Sequence, residues 1–131
     1  MKVFDFVPRK SQGRILAVCA GRQKGQAKRN VGQGQLLKNF GLSGDCDTGP
    51  SSSQLVISCQ DDQALANGPV GGWGLRGENL VITLDLTGIP VGTRLRSQDA
   101  LIELTGTKGP FFTARVLLPG IVTQGDPIIV E

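Results

Sequence analysis

Glycine and proline set the first limit on what this chain can become, because 19 glycines and 7 prolines interrupt its 131 residues at short intervals. Each costs roughly 1 to 3 kcal/mol in a helix interior. Long helices are therefore excluded, and a turn-rich β protein is expected. Between the breakers stand seven apolar runs of strand length, at residues 14–20, 54–59, 80–84, 93–96, 100–105, 111–118 and 128–130. In the fifth, Ala100, Ile102 and Leu104 fall on one face and Glu103 and Thr105 on the other, as a strand with one side buried requires. With Ser97-Gln98-Asp99 between it and the fourth run, the pair reads as a hairpin. A helical turn is expected at residues 61–66, with Asp61 or Asp62 as N-cap and Gly68 as its stop. So many short strands leave exposed edges unless the sheet closes on itself. The expected fold is mainly β: a small closed or partly closed barrel of about seven strands with one or two short helical turns, in a single domain spanning residues 1–131.

Composition restricts the chemistry more than it identifies it. Hydrophobic residues make up 39% and charged residues 19%, with a mean hydropathy of -0.02, the make-up of a soluble globular chain. There is no histidine, so Ser-His-Asp triads, Cys-His dyads and imidazole-ligated metals are ruled out. Any chemistry has to come from carboxylates, thiols, amines or a bound cofactor. Cys19, Cys46 and Cys59 are an odd, sparse set without a CxxC pair, which speaks against a structural zinc site or a disulfide framework. The first 13 residues lack the apolar run of a signal peptide. No stretch approaches the roughly 20 apolar residues of a membrane span. A cytoplasmic protein with reduced thiols and no membrane contact is the expectation.

The net charge of +3 is unevenly placed. Residues 1–38 hold nine of the 14 lysines and arginines against one acid, Asp5, and the remainder is acidic. The two parts should attract on folding, so a uniform nucleic-acid surface is not indicated and a local anion-binding patch is the alternative to a solvated basic loop. Arg22, Lys24, Lys28 and Arg29 crowd into a glycine-rich stretch and are the candidate anion ligands.

Three short motifs bear on function. Gly72-Trp73-Gly74-Leu75-Arg76-Gly77 matches G-x-G-x-x-G literally, but a dinucleotide fingerprint needs a strand before it and a helix after it. Here a strand follows. The glycines read instead as a loop whose backbone approaches something closely, with Trp73 either packed as a core plug or stacked on a planar ligand. Next, Glu78 and Asn79 stand where that loop enters a strand, positioned to brace the turn or to line a pocket mouth. Finally, Asp45-Cys46-Asp47 sets a thiol between two carboxylates, which should raise its pKa and suppress the thiolate unless a cation sits beside it.

Taken in order, these segments resemble the MOSC domain, the module named for the C-terminal part of molybdenum cofactor sulfurases. The resemblance is carried by Ile15-Leu16-Ala17-Val18-Cys19 before the basic loop, Gly41-Leu42-Ser43-Gly44-Asp45, Gln54-Leu55-Val56, and most specifically Leu75-Arg76-Gly77-Glu78-Asn79-Leu80. Leu84-Asp85-Leu86, the segments 89–96 and 101–105, Gly120-Ile121-Val122 and Gly125-Asp126 follow in register. It implies a compact β-barrel with a pocket that binds molybdenum cofactor or carries sulfur, and in some members reduces N-hydroxylated compounds with molybdenum on a cysteine thiolate. Where that family usually has Gly-Asp-x-His, this chain reads Gly44-Asp45-Cys46-Asp47; Ser52 or Ser53 replaces an arginine before the Gln54 strand; and residues 106–112 contain no cysteine.

The resulting expectation is a MOSC-like barrel that binds an anionic small molecule, a molybdopterin-type molybdenum cofactor, through Arg22, Lys24, Lys28, Arg29, Arg76, Gly77, Asn79 and Trp73. In an enzymatic version Cys46 is the metal ligand or sulfur carrier, and Asp45 or Glu78 handles protons. The alternative is a non-catalytic binding or interaction module that has lost the catalytic residues. Nucleic-acid binding through the basic part is a weaker third reading.

Overall fold

The computed structural model describes residues 11–60, 68 and 72–131, and among these there is no helix. The helical turn expected at 61–66 lies outside the described residues. In chain order the strands are β1 (Gln12–Ala20), β2 (Arg29–Asn30), β3 (Gln33–Leu37), β4 (Gly41–Leu42), β5 (Leu55–Cys59), β6 (Leu80–Ile82), β7 (Arg94–Ser97), β8 (Ala100–Lys108), β9 (Phe111–Leu118), β10 (Gly120–Thr123) and β11 (Pro127–Val130).

Seven of them close into a barrel in the order β11-β7-β8-β9-β5-β6-β1, with β1 paired back onto β11. These are the seven runs that apolar patterning marks out. Closure leaves the barrel without a free edge. The β7–β8 hairpin pairs Ser97 with Ala100 across Gln98-Asp99, and Gln98 takes the positive φ of 54° that so tight a turn demands. Alternate residues point inward, among them Leu55 and Ile57 of β5, Leu80 and Ile82 of β6, and Ile102 and Leu104 of β8, all buried in one core.

Four strands have no counterpart in the sequence reading; for β3 and β10 the cause is glycine at inward positions, and β2 and β4 are only two residues long. β3 reads Gln-Gly-Gln-Leu-Leu, so its inward Gly34 gives no apolar signal. A Cβ at Gly34 would lie 2.5 Å from Leu42 Cδ1, so the space is already filled from β4. In β10, a Cβ at Gly120 would lie 2.6 Å from the Ala100 backbone nitrogen, and only Val122 of that strand is buried. β10, β3 and β4 form a separate small sheet, and β2 extends the main sheet beyond β1.

β5 and β6 are parallel, which requires a crossover between them. The described end of that crossover, residues 72–79, carries Trp73, Arg76, Glu78 and Asn79. Strand β1 is buried on both faces because Trp73 covers its outer side. Trp73 packs with Leu16, Ala17, Cys19 and Val81 in a second, smaller core. Of the two readings open for Trp73, the packed plug matches this placement. Cys19 is a fully buried member of the same cluster.

Asn79, immediately before β6, joins β5 and β1, the two barrel strands that β6 separates. Its Oδ1 accepts from Val56 N at 3.0 Å and its Nδ2 donates to the Cys19 carbonyl at 3.2 Å, both buried. Asn79→Ala leaves both backbone groups without partners, so a loss of about 2 to 4 kcal/mol is expected. A lower urea midpoint at unchanged m is the measurement that checks it.

Candidate functional site

The basic stretch is the loop of the β1–β2 hairpin, residues 21–28, and both its ends are tied down. At one end Gly21 N donates to Asp45 Oδ1 at 3.0 Å and Cys46 N donates to the Gly21 carbonyl at 2.8 Å. At the other, Lys28 N donates to the Gly74 carbonyl at 2.9 Å. Gly74 has φ of 99°, and a Cβ there would stand 2.6 Å from the Lys28 carbonyl oxygen. The close approach expected of the glycine-rich loop is thus made to the Lys28 backbone. Between the ties the loop is exposed, with Lys24 inside a turn closed by Gln26 N donating to Gln23 O.

Lys28 itself is a buried clip. Its Nζ lies 3.0 Å from Asp45 Oδ2 and 2.9 Å from Asp47 Oδ2. The Asp45 side chain is fully buried, whereas that of Asp47 is 38% exposed. Burial pulls the Lys28 ammonium down, but hydrogen bonds to Asp47 and Asp45 outweigh it and raise its pKa above the ordinary 10.5. The Lys28 hydrogen bond in turn holds Asp47 below the ordinary 3.8. The clip is therefore complete between these two ordinary values. Its stabilisation falls away as pH drops through the lowered Asp47 value or rises through the raised Lys28 value.

Asp45, Cys46 and Asp47 bring their ligand atoms within 4.8 Å of one another, a spacing that suits a metal ion. Yet the Lys28 ammonium already supplies a cation to both carboxylates. Burial, followed by the charges of Asp45 and Asp47, raises the Cys46 thiol above its usual value. Cys59 is pushed up to about 11 and Cys19 to about 12, in both cases chiefly by burial. Alkylation of Cys46 by iodoacetamide near neutral pH is accordingly expected to run several-fold slower than that of a short cysteine peptide, and Asp47→Asn to speed it up. Mass spectrometry of the modified chain reads both rates.

Three loops meet at the rim of the barrel around a cleft of about 500 Å³. Its walls are residues 25–28 of the basic loop, Leu75, Arg76 and Gly77 of the crossover, and residues 108–111 of the β8–β9 turn. Lys28, Arg76 and Lys108 line it against one carboxylate, Asp47. The Arg76 guanidinium lies over the Phe111 ring, 4.9 Å from its centroid, which restrains an otherwise exposed side chain. Glu78 Oε1 accepts from Arg76 N at 3.0 Å and so braces the backbone that presents the guanidinium.

Of the expected site residues, Lys28, Arg76 and Gly77 line this cleft. Asp45 and Cys46 lie beside it through the Lys28 clip. Arg22 and Arg29 line a different cleft, across the basic loop. Glu78 and Asn79 are buried and hold backbone groups, as the bracing alternative has it. Lys108 and Phe111 are additions that sequence reasoning missed. The only signal for them was the turn residues Gly109-Pro110, which make a hairpin legible but not what it faces.

The architecture is a closed seven-stranded barrel with a small three-stranded sheet beside it. No protein-family model matches the sequence, and no curated protein matches it. Solved structures, however, share the fold. The YuaD protein of Bacillus subtilis aligns with a TM-score of 0.70 at 15% identity, over 91% of this chain and 95% of its own. YiiM from Escherichia coli, a MOSC-domain protein, aligns with a TM-score of 0.66 at 18% identity, over 93% of this chain and 70% of its own. A hypothetical protein gives 0.67 at 21% identity, over 91% and 66%. At these identities the likeness defines the fold.

Proposed function

We propose that this MOSC-like domain binds a phosphate-bearing small molecule in the rim cleft, and that the ligand is a molybdopterin-type cofactor. The observation that carries this reading is the convergence of Arg76 and Lys108 from two separate loops on one cleft whose single lining carboxylate, Asp47, is already paired with Lys28. A phosphate requires cations and close backbone approach. Arg76 offers a planar fork already oriented by Phe111, and Lys108 a point charge. Gly25 and Gly77 leave open space where a side chain would stand.

The residues fit the anionic part of such a cofactor better than they fit its metal. Among the described residues lining the cleft there is no cysteine, and burial with the charges of Asp45 and Asp47 raises the neighbouring Cys46 thiol above its usual value. A bound molybdenum cofactor would bring redox chemistry on its own dithiolene sulfurs, with this chain supplying anchorage and orientation. That donor set favours a binding module over the enzymatic version, in which Cys46 is metal ligand or sulfur carrier and Asp45 or Glu78 moves protons. Asp45 already accepts from Gly21 N, Asp47 N and Lys28, and Glu78 from Arg76 N.

Protein produced in a host that makes the cofactor is expected to carry molybdenum in stoichiometric amount, measured by elemental analysis with native mass spectrometry. Arg76→Glu should empty it, while Cys46→Ala should leave it loaded if the domain only binds. Loss of metal on Cys46→Ala would instead favour the enzymatic version. Repeated preparations without molybdenum would remove the cofactor and leave the anion cleft.

A further inference from the structure

We propose a second anion subsite on the far side of the basic loop, so that the ligand of this protein is a small molecule with two anionic groups straddling residues 21–28. This rests on the reading of the first cleft given above. The β1–β2 ladder pairs Arg29 with Ala20, and Arg22 follows two residues beyond Ala20 on the other limb. Both arginines line a cleft of about 600 Å³ with Ser43 and Gly44 opposite. Among the described residues no carboxylate lines that cleft, and neither arginine has an ion pair. In the first cleft, by contrast, Lys28 is neutralised twice over.

Gln26 and Ala27 line both clefts. The basic loop is thus a partition with a cationic hollow on each face, and Lys24 is exposed in its turn. Both ends of the partition are tied to the body of the protein, which limits how far the two hollows can move relative to one another. A monoanion satisfies one of them. A ligand with an anionic group at each end satisfies both, and the second contact then forms at the high effective concentration of a tethered group.

Calorimetric titration of the full chain with inorganic phosphate and with a series of linear alkane α,ω-bisphosphates tests this. The best-fitting chain length is expected to bind at least about tenfold more tightly than phosphate. The variant carrying Arg22→Ser and Arg29→Ser should lose that gain and keep a phosphate site that still depends on Arg76. A bisphosphate no tighter than phosphate, or a gain that survives the double variant, overturns the second subsite while the first cleft stands. Phosphate binding that ignores Arg76→Ala overturns the first cleft and this inference with it. A single-stranded oligonucleotide that outcompetes every bisphosphate, with affinity falling steeply in salt, overturns the small ligand in favour of nucleic acid.

Discussion

Arg76→Ala is expected to weaken phosphate binding about 10- to 100-fold while the barrel stays folded. The guanidinium is the one arginine fork among the described residues lining the cleft, and hydrogen bonds to a charged partner contribute about 1.5 to 3 kcal/mol each. Its backbone is set by Glu78 and its side chain by Phe111, so little ordering cost remains to be met on binding. Removing the cation from the Phe111 ring costs about 0.5 to 1 kcal/mol, and the thermal midpoint should therefore drop by only about 2 to 4 °C. Arg76→Lys keeps the charge but loses the fork, and intermediate affinity is expected. Calorimetry of the two variants with inorganic phosphate separates charge from geometry. Equal affinity in the wild type and Arg76→Ala would show that the cleft is not the anion site.

Lys28→Met is expected to have the larger effect on stability, about 3 to 5 kcal/mol, because it strands the fully buried Asp45 carboxylate without its cation. For a chain of this length that is a fall of about 10 to 20 °C in thermal midpoint. The loss arises from an uncompensated buried charge, not from any great net stabilisation by the pair. Removing both partners together in Lys28→Met with Asp45→Leu should consequently recover part of it, although Gly21 N and Asp47 N also lose an acceptor. Differential scanning calorimetry of the two single variants and the double one closes the cycle. A Lys28→Met chain as stable as the parent would mean that the clip does not hold the loop.

The clip also explains how an acidic and a basic part of one chain are used. Nine basic residues precede residue 39, but among the described ones only Lys28 forms an ion pair, and it does so with Asp45 and Asp47. Among the described residues the attraction expected from the charge imbalance is concentrated in one buried contact that anchors a loop, while Arg22 and Arg29 stay open to solvent. Charge counting along the chain cannot tell these cases apart. Burial decides them, and burial of Lys28 depends on the Gly74 backbone and on the strands beneath it.

Local pattern sufficed for the seven barrel strands, since each is a run of apolar residues bounded by glycine, proline or polar turns, and period-2 burial is written into a strand wherever side chains fill the core. It sufficed also to reject a dinucleotide site at residues 72–77, because the strand that follows is visible in the chain. The same reasoning fails for β3 and β10, whose inward positions are glycines facing Leu42 and the Ala100 backbone across the fold. It fails for Lys108 and Phe111, which reach the cleft only because β8 and β9 end at the same rim as the β5–β6 crossover. Strand existence depends on neighbours in sequence. Which cations are neutralised, which are exposed and which share a cleft depends on contacts between residues such as Lys28 and Asp45, or Arg76 and Phe111, that only closure of the barrel brings together.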